Sequence, residues 1–151
     1  MTTTVTFADA ESLVGQSLGS TEWMEITQER VNTFADATDD PQWIHVDPER
    51  AKDGPFGGTI AHGYLTLSLI VPMFTDLLDV EGVTTKLNLG LNRVRFTSPV
   101  KVGSSIRLTA SMADVKQVGG GGKELVWDGT IEVQGSDKPA CVLQAVYRFY
   151  A

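Results

Sequence analysis

The second half of the chain alternates apolar and polar side chains over four consecutive segments. The apolar members of the segments are Leu87, Leu89 and Leu91; Ile106, Leu108, Ala110 and Met112; Leu125, Trp127, Ile131 and Val133; and Cys141, Leu143, Ala145, Tyr147 and Phe149. A period of two places successive side chains on opposite faces of a strand, so each segment is predicted to be a β-strand. Because short turns separate the segments, we expect the strands to pair antiparallel.

Two irregular features are predicted within this sheet. After Leu91 the apolar phase slips by one residue to Val94 and Phe96, which is the pattern of a β-bulge near Asn92. The glycine run at residues 119–122 lies between two alternating segments and is predicted to be a hairpin connection rather than a domain boundary. A chain of 151 residues has the length of about one domain, so we expect residues 1–151 to form a single domain.

The first half of the chain carries helix signals. Thr27 is a suitable N-cap for a helix that ends before Pro41, because the residue before a proline avoids the helical region. Asp47 and Pro48 form a second helix start, with an acidic N-cap and proline in the first turn. The apolar face of the first helix consists of Val31, Phe34 and Ala35.

The segment from residue 61 to residue 78 is apolar nearly all round, which predicts a helix that is buried on every side. Pro72 is expected to kink this helix or to interrupt its hydrogen bonds. Helices followed by a run of antiparallel strands indicate an α+β fold, in which a curled sheet packs around one long central helix.

Composition excludes several classes of function. The chain has 12 Lys plus Arg and 19 Asp plus Glu, and its formal charge of −7 argues against a nucleic-acid partner or an anionic membrane surface. Cys141 is the single cysteine, so no internal disulfide can form and a reducing compartment is expected. The longest apolar stretch, residues 59–74, is too short to span a bilayer, and the N-terminus lacks the features of a signal peptide. We therefore expect a cytoplasmic protein without membrane insertion.

Both histidines of the chain, His45 and His62, lie within 18 residues of each other, and Asp40 precedes His45 by five residues. A carboxylate and an imidazole can hold one water between them, and Trp43 and Ile44 are expected to exclude bulk solvent from that site.

Gly63 follows His62 at the entry of the buried helix. Its backbone N–H is a candidate oxyanion donor for a carbonyl oxygen that becomes an enolate. A carboxylate, an imidazole, a water and an oxyanion donor together indicate a hydration or dehydration site.

Simpler interpretations stand beside this one. An Asp and a His in a turn more often serve capping or structural roles than catalysis. Asp47 is better explained as an N-cap, and His62 as a donor to a loop carbonyl. A metal site built from His45, Asp47 and His62 is conceivable, but the spacing matches no familiar ligand pattern. Cys141 is expected to be an inert, half-buried apolar residue of its strand.

Two segments resemble the MaoC-like dehydratases, which are (R)-specific enoyl-CoA hydratases. Residues 34–51 read FADATDDPQWIHVDPERA, and residues 54–69 read GPFGGTIAHGYLTLSL. The second segment is similar to the branch that includes nodulation-protein-N-like proteins and mycobacterial hydratases. A third match, NRVRF at residues 92–96, is similar to the strand that follows the central helix in this family. The resemblance extends from about residue 20 to the C-terminus.

The resemblance implies a hot-dog fold, in which an antiparallel sheet wraps around a long central helix, and a homodimer whose two sheets join. The implied reaction is reversible addition of water to a trans-2-enoyl thioester, giving the (R)-3-hydroxyacyl thioester without a metal or other cofactor. By position, Asp40 and His45 match the catalytic pair, and Gly63 matches the oxyanion glycine. The charge of −7 disfavours an acidic acyl carrier protein as the thioester carrier unless Arg93, Arg95, Arg107 and neighbouring lysines form a basic patch, so coenzyme A is the expected carrier.

Departures from the family pattern occur beside the catalytic pair. Asp39 stands where many members have a glycine with positive φ, a conformation that Asp tolerates. Gln42 stands where an Asn supports the site, so an amide remains with a longer reach. Trp43 replaces a proline.

Two alternative functions stay open at this stage. The same fold hosts acyl-CoA thioesterases, and it also hosts acyl-thioester binding subunits without catalysis. The presence of His45 and its spacing from Asp40 favour a hydratase over a thioesterase. The presence of Asp40, His45 and Gly63 together argues against a binding subunit without activity.

Overall fold

A computed structural model describes residues 1–151. The strands are β1 (Thr3–Thr6), β2 (Ser17–Ser20), β3 (Met24–Glu25), β4 (Leu78–Glu81), β5 (Thr85–Phe96), β6 (Ser105–Val118), β7 (Gly122–Val133) and β8 (Cys141–Tyr150). The helices are α1 (Gln28–Thr38), α2 (Trp43–Val46), α3 (Pro48–Ala51), α4 (Gly63–Ser68) and α5 (Ile70–Leu77), and single 3-10 turns occur at Ala10–Leu13 and Gly119–Gly121.

The main sheet is antiparallel and has the strand order β2-β6-β7-β8-β5, with β3 pairing to β6 beside β2. The four strands predicted from the period-two pattern are the four long ones, β5 to β8. β1 and β4 form a separate parallel pair. The prediction of an antiparallel sheet of consecutive strands is confirmed.

Both predicted irregular features of the sheet are present, and three further register shifts, at residues 17–19, 88–90 and 112–114, were not predicted. The register of β5 against β8 shifts between Leu91 and Arg93, which confirms the bulge at Asn92. The glycine run makes the β6–β7 hairpin, where Val118 pairs with Gly122. A second shift between Asn88 and Gly90 was missed, because the apolar side chains keep their alternation across it.

The helix starts agree with the cap residues predicted from the sequence. The Thr27 side chain accepts a hydrogen bond from the Arg30 N–H at 3.1 Å, and Asp47 accepts one from the Arg50 N–H at 3.1 Å. α1 ends at Asp39, which has φ 57° and is the one residue other than glycine with positive φ. This confirms the conformation expected where many relatives carry glycine.

The central helix is interrupted at Leu69, between α4 and α5. Pro72 has no N–H to donate to the turn before it, so the expected break is confirmed. The expectation of burial on every side is wrong, because Tyr64 is 73% exposed and Val71 is 44% exposed. A segment that is apolar all round carries no periodic signal for which side lacks a covering layer. No helix of the structure is long and apolar enough to cross a bilayer.

The buried core packs the central helix against the concave face of the sheet. Its 29 buried residues form one cluster in space. Near its centre the Phe74 ring stacks on Trp127 with 4.2 Å between ring centroids, and the Tyr147 ring lies edge-on to Phe74 at a centroid distance of 5.4 Å. Gly129 leaves the space that Trp127 occupies, since a Cβ there would lie 2.7 Å from the indole. This aromatic group fixes where α5, and with it the start of α4, sits on the sheet.

Lys123 fastens the N-terminal segment to the sheet. Its Nζ donates to the carbonyls of Phe7 at 2.6 Å and Ala8 at 3.1 Å, and to Glu11 Oε2 at 2.7 Å. The hydrogen bond from Lys123 lowers the pKa of Glu11. The buried ammonium group therefore has three acceptors and serves a structural role.

Candidate active site

Asp40 lies just beyond the C-terminus of α1. The left-handed turn at Asp39 brings the Asp40 N–H to the Ala35 carbonyl at 3.0 Å. The Asp40 side chain is 52% exposed. Trp43 therefore does not exclude solvent from this carboxylate in the single chain, contrary to expectation. The Trp43 ring instead packs against Gly54 and lies 4.4 Å from the guanidinium of Arg50.

His45 lies in α2 and is buried. Its Nδ1 is 2.7 Å from the Ile60 carbonyl. Because a carbonyl can only accept, Nδ1 carries the proton and Nε2 is left with a free lone pair. His45 therefore presents the nitrogen that a general base needs.

Gln28 secures the backbone around His45, a role that sequence reasoning missed. Its Nε2 donates to the His45 carbonyl at 2.7 Å, and its Oε1 accepts from the Thr59 hydroxyl at 2.6 Å. The sequence showed Gln28 only as a residue of the first turn of α1. No local pattern connects it to a carbonyl 17 positions away.

His62 completes a compact cluster with the predicted pair. One carboxylate oxygen of Asp40 and one imidazole nitrogen from each of His45 and His62 all lie within 4.8 Å of one another. A water bonded at about 2.8 Å to two groups holds them about 4.6 Å apart, so one water can bridge groups at this spacing. His62 Nε2 lies 3.0 Å from the Asp40 carbonyl, which confirms the predicted bond to a loop carbonyl.

The cluster borders a cavity of about 310 Å³. Gly63 lines it together with His45, and the Gly63 N–H has no acceptor within α4 because it is the first residue of that helix. Thr66, buried and one turn later, places a hydroxyl-bearing side chain on the same wall. Sequence reasoning had assigned no role to Thr66. The other residues that line the cavity are Ile60, Ala61, Phe96, Ser98, Pro99, Val100 and Ala140.

Asp40 does not line the cavity itself, and three further candidates also lie outside its wall. The Gln42 side chain is exposed and makes no capping hydrogen bond, so the support expected from it is not seen. Asp47 caps α3, as expected. Cys141 is fully buried rather than half-buried, and burial raises the pKa of its thiol to about 11. Its thiol is therefore not a nucleophile of this site.

The geometry of the two histidines argues against a shared metal ion. Their rings stack at 3.8 Å with an angle of 22° between the planes. An ion in the plane of one ring lies well out of the plane of the other, whereas a zinc-binding imidazole points its in-plane lone pair at the metal. Asp47, which completed the metal set considered from the sequence, is not part of the cluster. The donor set suits a bridging water better than an ion.

Comparison with known proteins identifies the family of the chain. The chain matches the family described as "MaoC like domain" over residues 9–134. It is 49% identical over 151 residues to 3-hydroxyacyl-thioester dehydratase Z of Mycobacterium tuberculosis, with 100% of both chains covered. It is 44% identical over 138 residues to nodulation protein N of Rhizobium leguminosarum, covering 90% of this chain and 86% of that protein.

Solved structures share the fold. The (R)-hydratase from A. caviae superposes with a TM-score of 0.73 at 25% identity and covers 89% of this chain and 94% of its own. The monoamine oxidase regulatory protein from Archaeoglobus superposes with a TM-score of 0.76 at 24% identity over 100% of this chain and 99% of its own. The antiparallel sheet around a central helix is therefore the hot-dog fold, and the chain belongs to the MaoC-like dehydratase family.

Proposed function

We propose that this protein reversibly hydrates trans-2-enoyl-CoA thioesters to (R)-3-hydroxyacyl-CoA. The observation that carries the proposal is that Asp40 lies within 4.8 Å of an imidazole nitrogen of His45, while His45 and Gly63 line one cavity. The thioester dehydratase that is 49% identical supports the substrate class, and the (R)-hydratase at 25% identity supports the stereochemistry. The net charge of −7 disfavours docking of an acidic carrier protein, and coenzyme A is therefore the carrier in this proposal.

In the hydration direction, Asp40 and His45 hold one water beside C3 of the enoyl group. The water oxygen forms the C3–O bond while His45 Nε2 accepts one of its protons, and the Asp40 carboxylate orients the water through the other hydrogen. The pair then returns one proton to C2, so one water is added and no group is consumed. Dehydration runs the same steps in reverse.

The Gly63 N–H stabilises the intermediate charge. Addition at C3 pushes electron density onto the thioester oxygen, which becomes enolate-like. A fixed backbone donor at the cavity wall offsets that charge without reorganising. The absence of a side chain at Gly63 leaves its N–H open to close approach by the thioester, and it also leaves room for the Phe96 ring, which a Cβ would meet at 3.2 Å.

We test this function with purified protein and crotonyl-CoA. The expected result is loss of the ultraviolet absorbance of the enoyl thioester and an (R)-3-hydroxy product in chiral analysis. Release of free thiol without hydration would instead identify a thioesterase. Ligand-induced stabilisation with no turnover of short or medium chains would identify a binding subunit. Either of these two results would contradict the proposal.

We also propose that the chain works as a homodimer joined along β5. β5 is an edge strand of the sheet, and Leu87, Leu89 and Leu91 are exposed along it. An exposed apolar edge strand is a template for pairing with another chain, and a second copy would cover it.

The single core that runs from Ala10 to Phe149 supports one domain over residues 1–151, and the buried free thiol is consistent with the cytoplasm.

Light scattering tests the dimer. We expect the protein to have twice its chain mass of 16.3 kDa, and Leu89→Asp to shift it toward the monomer, because a buried charge would face the partner strand. Val14→Asp is the matched control, since Val14 is similarly exposed but lies outside β5. A monomeric wild type, or equal masses for the wild type and Leu89→Asp, would contradict dimerisation along this edge.

A further inference from the structure

His62 occupies the centre of the candidate site, although none of the proposed chemical steps uses it. The residue is 3% exposed. Its Nε2 lies 3.0 Å from the Asp40 carbonyl and 3.9 Å from Asp40 Oδ2. Its ring stacks on His45 at 3.8 Å, and the Phe34 ring lies 4.9 Å away. One side chain therefore contacts both members of the predicted acid–base pair.

The hydrogen-bonding pattern of His62 is uneven. The Asp40 carbonyl can only accept, so Nε2 must carry the proton and donate. Nδ1 then holds a lone pair, and it is buried without any hydrogen-bond partner. Buried polar atoms without hydrogen-bond partners are rare. If His62 served packing alone, an apolar side chain would fill the same space without leaving a nitrogen unpaired. The feature that the fold uses is the Nε2–H together with the flat ring.

The chain leaves α1 at Asp40, so the regular helix does not fix the Asp40 carboxylate. Asp40 follows the end of α1, and its half-exposed carboxylate extends from a left-handed turn. The His62 N–H donates to the main-chain carbonyl of Asp40. His45 is fixed at one edge by the Ile60 carbonyl, and stacking on His62 limits the tilt of its plane.

We propose that His62 is a positioning residue that sets the distance and angle between Asp40 and His45. Its N–H holds the Asp40 loop, and its ring supports the plane of His45. This inference rests on the proposed role of Asp40 and His45 as the acid–base pair. It assigns His62 no proton transfer and no contact with substrate.

Two variants separate the N–H from the ring. His62→Phe keeps a flat ring but removes the donor, whereas His62→Gln keeps an N–H at about the same reach and removes the ring. With crotonyl-CoA we expect His62→Phe to lower kcat by about 10-fold or more, with KM changed by less than about 2-fold, because misplaced catalytic groups slow chemistry more than binding. His62→Gln should recover a substantial part of kcat. Ile131→Val, a buried change in β7, is the stability control and should lower Tm while leaving kcat unchanged.

Amide hydrogen exchange provides a readout that does not depend on activity. The Asp40 N–H, which bonds to Ala35, should exchange about 10-fold faster in His62→Phe, while His62→Gln stays near the wild type and the amides of β7 are unchanged in both. A wild type that turns over no thioester contradicts the proposed function, and exchange at Asp40 then decides the role of His62. Wild-type kcat in both variants with only a lower Tm would overturn the inference, as would unchanged exchange at Asp40 in an inactive protein.

Discussion

We expect Asp40→Asn and His45→Gln each to lower kcat by at least about 100-fold, the usual scale for a positioned acid or base. Both substitutions keep the size and much of the hydrogen-bonding capacity of the side chain. Asn at position 40 lacks the negative charge of the carboxylate, which orients the water by accepting a hydrogen bond from it. Gln at position 45 keeps a polar side chain of similar length, but its amide is not basic enough to accept a proton. The measurement is steady-state hydration of crotonyl-CoA at saturating substrate.

Asp47→Asn is the matched control for this prediction. Asp47 is a nearby acid that caps α3 through its side chain, and Asn caps helices as well as Asp does. We expect Asp47→Asn to retain wild-type kcat. The Asp40→Asn, His45→Gln double variant should lose little more than either single variant, because residues that act as a unit are not additive. Near-wild-type activity in either single variant would remove that residue from the mechanism.

Removal of the Gly63 N–H is expected to have an effect of similar size. Gly63→Pro deletes the hydrogen of this backbone nitrogen while fitting the backbone, for two reasons. Position 63 is the first residue of α4, where proline is favoured. His62 has φ −61° and ψ 137°, an extended conformation that a residue before proline adopts readily. We therefore expect Gly63→Pro to fold.

Gly63→Ala controls for the added side chain. Both substitutions introduce a Cβ that meets the Phe96 ring at about 3.2 Å, but only proline removes the donor. We expect kcat of Gly63→Pro to fall about 100-fold or more below that of Gly63→Ala, the range for loss of one oxyanion donor. Circular dichroism and Tm confirm that both variants fold. Equal kcat in the two folded variants would mean that the Gly63 N–H does not stabilise the enolate.

The secondary structure was largely predictable because its signals are local. The period-two pattern located β5 to β8, and the phase slip located the bulge at Asn92. Thr27 and Asp47 marked helix starts, and Asp39 took the left-handed conformation expected of it. Each of these features depends on a residue and its near neighbours, so a single sequence carries the information.

The burial of the central segment could not be read in the same way. Residues 61–78 are apolar nearly all round, and such a segment has no polar face to mark its solvent side. The packing of the sheet decided that Phe74 is buried while Tyr64 and Val71 are exposed. The missed register shift at residue 89 has a related cause, because the alternation of leucines continues through it.

The sequence by itself determined the four long strands, the starts of α1 and α3 and the chemical types at the candidate site, because short-range preferences set all of these, whereas the short strands β1, β2 and β4 carried no such signal. Only the tertiary structure decided which of those groups meet. It brought His62 onto His45, placed Gln28 behind the His45 carbonyl, and put Thr66 on the cavity wall. It also left Gln42 in solvent. Contacts between distant positions depend on how the helices pack on the sheet, and no spacing along the chain encodes that packing.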